Sequence, residues 1–275
     1  MATQADKAAA FASLHRREGI FLTPNPWDAG TARLLARMGF EALATTSAGY
    51  AFSIGVPDGF VSRDEMLAHA ASIVRSTPLP VSADLENGYA DDAASVGETI
   101  RLAAETGLAG ASIEDVSARP NARIYELEHA ADRIRAAAEA ARSLPHPFVL
   151  TARAENFITG RPDLADTIRR LQAFQEAGAD ALFAPGLASL DDIRTVVGSV
   201  DRPVNVIAGM PGATWNLADL QAAGVRRVSI GSGLARAAFG AFLTAAREMH
   251  EHGAWDFAKD AISYRDLTAM FDGKR

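Results

Sequence analysis

The sequence predicts an α/β protein with one (β/α)8 barrel, of the TIM type, and extra N-terminal and C-terminal helices. Its 275 residues match the usual size of one such barrel. From about Gly19 onward, eight short apolar runs alternate with longer stretches of helical spacing. This alternation is typical of a parallel sheet, and eight units can close into a barrel. An open doubly wound sheet is the structural alternative.

We predict one strand over each apolar run. The strands cover residues 20–23, 42–46, 80–85, 110–114, 148–153, 181–184, 204–208 and 227–230. A degenerate repeat supports this count, because a glycine stands between a helical stretch and a strand at Gly39, Gly107, Gly178 and Gly224. Each glycine is expected at the C′ position of a helix with a positive φ.

The ends of the chain are predicted to add helices to a single domain that covers residues 1–275. Residues 1–18 form an N-terminal helix, and residues 254–275 form a helical extension. Between the strands, Ser62-Arg-Asp-Glu65 has the pattern of a capping box that starts a helix. Apolar faces on the terminal helices would suit a subunit interface.

Composition excludes several kinds of site. The chain has no Cys, which removes disulfides, thiolate zinc sites, iron–sulfur clusters and cysteine nucleophiles. A net charge of -7 argues against a nucleic-acid partner. Since no apolar run approaches the roughly 18 residues of a membrane span and the polar start lacks a signal-peptide core, we expect no membrane partner and a cytoplasmic location.

Acidic residues follow the predicted strand ends, where a barrel places its active site. They are Asp58, in the loop before the third strand, and Asp84, Glu86, Glu114, Asp115 and Glu155 after strands three to five. Crowded carboxylates raise each other's pKa unless a cation neutralises them. Oxygen ligands without Cys or His indicate Mg2+ or Mn2+. The alternative is that these acids cap the following helices and face solvent.

Arg153 ends an otherwise apolar run, and a guanidinium there needs an anion. A substrate carboxylate, phosphoryl or phosphonate group would match its planar fork, although a structural ion pair with Glu155 or Glu114 is the alternative. Backbone amides of Ser47-Ala-Gly49 could bind a carboxylate. The six histidines are interpreted mostly as surface or packing residues.

Five motifs, in this order, resemble those of the isocitrate lyase/phosphoenolpyruvate mutase superfamily. They are Thr46-Ser-Ala-Gly49, Gly55-Val-Pro-Asp58, Asp84-Leu-Glu-Asn-Gly-Tyr89, Ser112-Ile-Glu-Asp115 and Thr151-Ala-Arg-Ala-Glu155. The resemblance implies a barrel that exchanges its eighth helix between subunits, a homodimer or homotetramer, and bound Mg2+ or Mn2+. It also implies reactions beside a 2-oxo or 2-hydroxy carboxylate through a pyruvate-like enolate.

The resemblance assigns metal and substrate roles to matching positions. Asp84 is the expected direct metal ligand, and Asp58, Glu86 and Glu114 are expected to hold metal-bound waters. Glu86 departs from the Asp that is common in the family at its position, and its longer carboxylate could shift a metal-bound water or bind the metal directly. The expected substrate-binding residues are Thr46, Ser47, Ala48, Gly49, Asp84, Arg153 and Asn205.

The segment after Asp115 is a mobile lid in the family, and here it departs from the lyase pattern. Isocitrate and methylisocitrate lyases carry a Lys-Lys/Arg-Cys-Gly-His stretch whose Cys protonates the enolate, whereas this chain has none. Arg119 and Asn121 stand near the Lys and the Asn or Thr of the mutases and phosphonopyruvate hydrolases. Because arginine cannot supply a proton at neutral pH, the remaining donors are Tyr50, Tyr125 or a metal-bound water, and we predict catalytic roles for Arg153, Tyr50, Arg119 and Asn121.

These features predict a Mg2+-dependent carbon–carbon lyase for a small carboxylic acid, such as an oxaloacetate decarboxylase or a lyase of substituted malate or citrate. Phosphonate P–C chemistry, as a mutase or hydrolase, is the first alternative. A phosphosugar isomerase or aldolase is another, because residues 208–212 and 231–233 resemble a barrel phosphate site. A binding protein without catalysis is the last.

Overall fold

The structure, a computed structural model, describes residues 2–117, 123–210 and 212–272 and contains a parallel eight-stranded sheet. The strands are β1 (Phe21–Thr23), β2 (Leu43–Ala44), β3 (Val81–Asp84), β4 (Gly110–Glu114), β5 (Val149–Arg153), β6 (Ala181–Phe183), β7 (Val204–Ile207) and β8 (Arg227–Ser229). Each lies within a predicted strand.

The sheet order is β1-β8-β7-β6-β5-β4-β3-β2, so the first two strands form its two edges. These edges meet, because the amide of Ala44 donates to the carbonyl of Pro24 at 3.1 Å. The side chain of Asn25 adds a bond from Nδ2 to the carbonyl of Thr45 at 2.9 Å. The predicted (β/α)8 barrel is therefore confirmed, and the open doubly wound sheet is wrong.

Helices alternate with the strands on the outside of the barrel. They are α1 (Gln4–Arg16), α2 (Ala29–Arg37), α3 (Ser47–Ser53), α4 (Arg63–Ser76), α5 (Ala93–Glu105), α6 (Leu127–Arg142), α7 (Leu164–Glu176), α8 (Leu190–Gly198), α9 (Leu217–Ala222), α10 (Gly233–His252) and α11 (Tyr264–Ala269).

Helix α3 corrects the sequence interpretation, which extended the second strand to Thr46. Strand β2 ends at Ala44, and Thr46 is the N-cap of α3. Its Oγ1 accepts a hydrogen bond from the amide of Gly49 at 3.1 Å. The cap satisfies an amide at the start of the helix, so a sequence with glycine in it still forms two helical turns.

Two local predictions hold. The glycines at the predicted turns have φ of 87°, 91°, 108° and 84° at Gly39, Gly107, Gly178 and Gly224. Ser62 and Glu65 form the reciprocal bonds of a capping box at the start of α4. Each turn thus returns the chain to the sheet within a few residues.

Helix α1 packs against the N-terminal end of the barrel through aromatic contacts. The ring of His15 lies edge-on to Phe11 and Phe21, with centroids 4.7 and 5.0 Å away. His15 is buried, and its Nδ1 lies 2.8 Å from the carbonyl oxygen of Phe11. Because a carbonyl oxygen only accepts, Nδ1 carries a proton.

Helix α10 is the most exposed long element. Of its 20 residues only Ala235 is buried. The chain then returns to α2, where Arg37 donates to the carbonyl oxygens of Ala269 and Asp272 at 3.1 and 2.9 Å. Within the described ranges, none of the helices has the length and apolar character to cross a membrane.

Replacing His15 by glutamine is expected to reduce the amount of folding free energy that the protein loses when the pH falls. Burial, together with the charge of Arg227, lowers the pKa of His15 from 6.5 to about 3. The unfolded chain takes up the proton near pH 6.5 and the folded chain does not, so this stability is present above pH 6.5 and lost as the pH falls. At pH 5 the loss is about 2 kcal/mol.

Urea unfolding of wild type and His15→Gln at pH 7 and pH 5 measures this difference. Exposed His252, replaced in the same way, is the control and should leave the wild-type pH dependence unchanged. Equal pH dependence in wild type and His15→Gln would contradict the expectation.

Candidate active site

A cavity of about 190 Å3 opens at the C-terminal ends of the strands and extends into the barrel. Its wall includes four acids and Arg153, together with many hydroxyl and amide side chains. The acids are Asp58, Asp84, Glu86 and Glu114. The structure therefore brings together all four residues of the predicted metal set at the end of the barrel where such enzymes act.

Arg153 lies at the centre of these acids. It donates from Nη1 to Oδ1 of Asp84 at 2.9 Å and from Nε to Oε1 of Glu155 at 2.8 Å. Its Nη2 lies 3.1 Å from Oε2 of Glu114, its neighbour across β4 and β5. The predicted structural ion pairs are present, and they join three strand ends through one guanidinium.

Burial and neighbouring charge shift the protonation of this cluster. Burial acts to lower the pKa of Arg153, but Glu155, Glu114 and Asp84 outweigh it and raise that pKa well above its ordinary value. Burial raises the pKa of Glu114 well above its usual range, with Arg153 opposing the shift and the nearby acids adding to it. Arg153 therefore stays charged at any pH at which the protein folds.

Ser47 connects the helix after β2 to the acidic wall. Its hydroxyl donates to Oδ2 of Asp84 at 2.9 Å, and Oδ1 of Asp58 lies 3.2 Å from the same hydroxyl oxygen. Its amide also donates to Asp84 Oδ2, at 3.2 Å. The predicted cradle at residues 47–49 is only partly available for an anion, because Ser47 faces Asp84 and the amide of Gly49 is bound by the Thr46 cap.

Gly49 has a packing role that the sequence interpretation did not include. A Cβ at this position would lie 2.6 Å from Cγ2 of Thr46, 3.3 Å from Trp27 Cβ and 3.4 Å from Ala235 Cβ. A side chain would push against the start of α10 and against the cap of α3.

The loop after β3 adopts an unusual backbone. Glu86 and Tyr89 have φ of 48° and 58°, in the left-handed region that residues with a Cβ rarely adopt. Asn87 supports the turn, since its Oδ1 accepts from the amide of Tyr89 at 3.0 Å. Such conformations persist where the surrounding contacts fix them, and they are frequent at functional sites.

A second buried arginine, Arg133 of α6, holds this loop in place, and the sequence interpretation missed it. Its Nη1 donates to the carbonyl oxygen of Glu114 at 3.1 Å. Its Nη2 donates to the carbonyl oxygens of Asn87 and Ala90, the latter at 2.8 Å. The guanidinium also lies 4.3 Å from the ring centroid of Tyr125. Arg133 thereby fixes the two loops that carry Glu86 and Glu114.

A third arginine, Arg170 of α7, anchors the acid next to Glu114. Its Nη1 lies 3.1 Å from Oδ2 of Asp115, and its Nε lies 2.7 Å from Oδ2 of Asp166. Burial raises the pKa of Asp115 to about 6, while the amide of Glu155 and Arg170 oppose the shift. Asp115 does not line the cavity, so it supports the strand ends from behind.

Neither Tyr50 nor Tyr125, the two tyrosines expected as proton donors, lines the cavity. Tyr50 stacks on His69, with ring centroids 3.8 Å apart. Tyr125 donates to Asp91, and burial and then Asp91 raise its pKa to about 12. Arg119 and Asn121 lie outside the described residues.

Asn205 of β7 lies in the cavity wall, as expected of a substrate-binding residue, but its amide is already engaged. Its Nδ2 donates to Oγ of Ser229 at 3.0 Å, and its Oδ1 accepts from Nε of Arg227 at 2.8 Å. It faces the interior of the barrel, below the acidic wall.

Three backbone amides in the loop after β8 already have partners within the protein. The amides of Ile230 and Gly231 both donate to Oδ1 of Asn25 at 2.9 Å. The amide of Gly233 donates to the carbonyl of Ile230 at 3.0 Å. The glycines therefore serve a tight turn, which argues against the phosphosugar alternative.

The donor chemistry of the cavity suits a hard divalent cation. Four carboxylates line it, and all of its candidate ligands are oxygen atoms. Among the described residues, no group of three or more His, Asp or Glu side chains is arranged to hold an ion by itself. Mg2+ commonly takes one or two direct carboxylates and keeps several waters, so the residues fit it in that mode.

Comparisons with known proteins agree with this geometry. The family model of phosphoenolpyruvate phosphomutase matches residues 11–250. A solved structure of a lyase/mutase from Burkholderia cenocepacia J2315 is 56% identical, with a TM-score of 0.95, and the match covers 98% of this chain and 97% of that one.

Two curated relatives have named activities. The 2-methylisocitrate lyase of Shewanella oneidensis is 33% identical over 217 residues, which are 75% of this chain and 73% of that protein. The oxaloacetate decarboxylase of Chromohalobacter salexigens is 27% identical over 273 residues, which are 97% of this chain and 93% of that protein. The chain therefore belongs to the phosphoenolpyruvate phosphomutase family, within the isocitrate lyase/phosphoenolpyruvate mutase superfamily of enzymes.

Proposed function

We propose that this protein is a Mg2+-dependent carbon–carbon lyase that acts on a small 2-oxo or 2-hydroxy carboxylic acid through a pyruvate-like enolate. The observation that carries this proposal is the cavity in which four carboxylates and Arg153 face one another. Such a wall suits a divalent cation and a substrate that develops negative charge on oxygen. Decarboxylation of an oxaloacetate-like acid is the reaction that we favour.

Arg153 is placed to stabilise that developing charge. A guanidinium has five N–H donors, and Arg153 uses one each on Asp84, Glu114 and Glu155. The two remaining N–H groups, on Nη1 and Nη2, are available for a substrate oxygen in the cavity. Since the ion pairs already fix the guanidinium, it needs little reorganisation when charge develops.

The four acids would hold Mg2+ in two ways, directly and through water. Asp84 would be the direct ligand, and Asp58, Glu86 and Glu114 would act through water, as the resemblance implies. When bound, Mg2+ supplies Lewis-acid polarisation of the substrate oxygen that gains charge. Ser47 holds Asp84 and Asp58 in place through its hydroxyl.

An apolar part of the cavity wall favours the release of a neutral product. Ile158, Phe183 and Pro185 line it with apolar surface. Loss of carbon dioxide gives a neutral product and needs no base, whereas retro-aldol cleavage of a substituted malate or citrate must first remove a proton from the substrate hydroxyl. Both reactions leave an enolate that takes up a proton. The apolar wall thus supports decarboxylation over retro-aldol cleavage.

Phosphonate chemistry is the second candidate function. The family model that matches residues 11–250 is named for a phosphomutase. Arg153 would then bind the phosphonate group, whose planar pairing with a guanidinium resembles that of a carboxylate.

We also propose that the protein is a homodimer or homotetramer in which α10 lies against a second copy. Several large apolar side chains on α10 and just beyond it are exposed: Phe242, Leu243, Met249 and Trp255. An apolar surface of this extent is unusual on a monomer and typical of an interface.

Purified protein with Mg2+ is expected to decarboxylate oxaloacetate faster than the spontaneous rate, to lose this activity with EDTA, and to be inhibited by oxalate, an enolate mimic. Pyruvate formation is measured across a panel of 2-oxo and 2-hydroxy acids. Asp84→Asn, which lacks the proposed direct ligand, is the matched control for decarboxylation by free metal in solution. No turnover and no oxalate inhibition would contradict the lyase, while phosphorus NMR on phosphonopyruvate tests the second candidate.

Arg153→Lys is expected to lower kcat/KM by about a hundredfold or more, because a lysine ammonium cannot replace the several fixed N–H donors of a planar guanidinium. The variant keeps the positive charge among the acids, so its thermal unfolding checks that the barrel is intact. Arg169→Lys, on the exposed face of α7, is the control. Unchanged kcat/KM in a folded Arg153→Lys protein would rule out the role given to Arg153.

Size-exclusion chromatography with light scattering is expected to give a mass of two or four times the 29.0 kDa chain. Phe242→Glu places a charge in the proposed interface and should shift the mass towards that of one chain. Met38→Glu changes an exposed apolar residue on another face and should not. A wild-type monomer would overturn the assembly.

A further inference from the structure

The barrel contains a buried arginine that no acid among the described residues neutralises. Arg227 begins β8 and is buried. Its Nε donates to Oδ1 of Asn205 at 2.8 Å, and its Nη2 donates to Oγ1 of Thr151 at 3.1 Å. Its Nη1 lies 3.3 Å from Nε2 of His15. All three partners are neutral.

The neutrality of His15 follows from its two ring contacts taken together. Its Nδ1 donates to the carbonyl oxygen of Phe11, and its Nε2 faces Nη1 of Arg227, which can only donate, so Nε2 carries a lone pair and no proton. Burial lowers the pKa of Arg227 to about 10, which leaves the guanidinium charged near neutral pH.

The other arginines buried in the described part of the chain are compensated. Arg153 has three carboxylates and Arg170 has two. Arg133 donates to three carbonyl oxygens and lies over an aromatic ring. No carboxylate among the described residues lies within ion-pair distance of Arg227. A buried charge with only neutral partners is costly, and an anion beside it would remove much of that cost.

Space for such an anion adjoins Arg227. The cavity that begins at the acidic wall extends down to this guanidinium. Around it the wall carries neutral hydroxyl and amide groups, from Ser82, Ser112, Asn205 and Ser229. Of the five N–H groups of Arg227, three are used by its described partners, so two remain for a ligand.

We propose that the base of the cavity, at Arg227, binds a small singly charged inorganic anion such as a halide or bicarbonate. The size follows from the cavity, whose 190 Å3 must also hold the substrate. The single charge of the anion follows from its surroundings. One guanidinium neutralises one negative charge, and the carboxylates above would repel a second negative charge. This site is separate from the one proposed for the substrate, and it does not depend on the reaction.

Anomalous diffraction from crystals soaked in bromide tests the site directly. The expected result is a bromide peak at hydrogen-bond distance from the guanidinium of Arg227 in the wild-type protein. A wild-type map with no bromide at Arg227, or with bromide only on the surface, would overturn the proposal. Loss of the peak on soaking with oxalate would also overturn it, because Arg227 would then belong to the substrate site.

Thermal unfolding in solution gives a second measurement that needs no crystal. Chloride should raise the midpoint of wild type relative to methanesulfonate at equal ionic strength. In Arg227→Met, the chloride concentration needed for the same rise in midpoint should be about tenfold higher or more. Arg226→Met is the matched control: its side chain bonds the carbonyl of Gly19 outside the barrel, and it should keep the response.

Equal midpoints of the wild-type protein in chloride and methanesulfonate would count against a bound anion, whatever the stability of Arg227→Met. Repeating the titration with bicarbonate in place of chloride distinguishes the two sources of the anion. A response to either one supports the site.

Discussion

The ion-pair cluster around Arg153 is the interaction on which the rest of the site depends. A single guanidinium at the end of β5 binds acids from β3, β4 and its own loop, namely Asp84, Glu114 and Glu155. Without it, carboxylates this close would repel one another or take up protons. Because removal of one partner from a buried cluster leaves an uncompensated charge, the cluster constrains the fold of the strand ends as well as their chemistry.

Two further arginines extend this constraint outward from the strands to the helices. Arg133 reaches from α6 to the carbonyl oxygens of the loops after β3 and β4. Arg170 reaches from α7 to Asp115, directly after β4. Their donors satisfy backbone and acidic groups that a buried loop would otherwise leave without partners. The acidic wall is therefore held from in front by Arg153 and from behind by the helices.

Much of this arrangement can be predicted from the sequence, because its signals are local. Apolar runs and helix-ending glycines predict the eight strands, and an arginine that ends an apolar run identifies Arg153. The backbone of Glu86 and Tyr89, with positive φ, has no local signal, because contacts from α6 stabilise it. Helix α3 was missed because glycine within it is typical of a loop, although Thr46 is a favourable cap.

Arg133 and Arg227, which the sequence interpretation did not include, have a weaker signal in the sequence. Arg133 stands beside Ile134 on the apolar side of α6, where a charge needs a buried partner. Arg227 and Ser229 alternate along β8 with apolar Val228, so polar side chains share one face of the strand. Such a polar face in a predicted barrel strand indicates polar groups inside the barrel.

The position of the tyrosines bears on which bond the site can break. Tyr50 and Tyr125 are bound to His69 and Asp91, away from the cavity wall. Besides the acids, the polar groups that line the cavity in the described part of the chain are hydroxyls, amides and guanidinium groups. Serine and threonine hydroxyls and guanidinium groups are poor proton donors at neutral pH. A reaction whose bond-breaking step releases carbon dioxide needs no proton donor from the cavity wall in that step, because charge stabilisation by Arg153 is its main requirement.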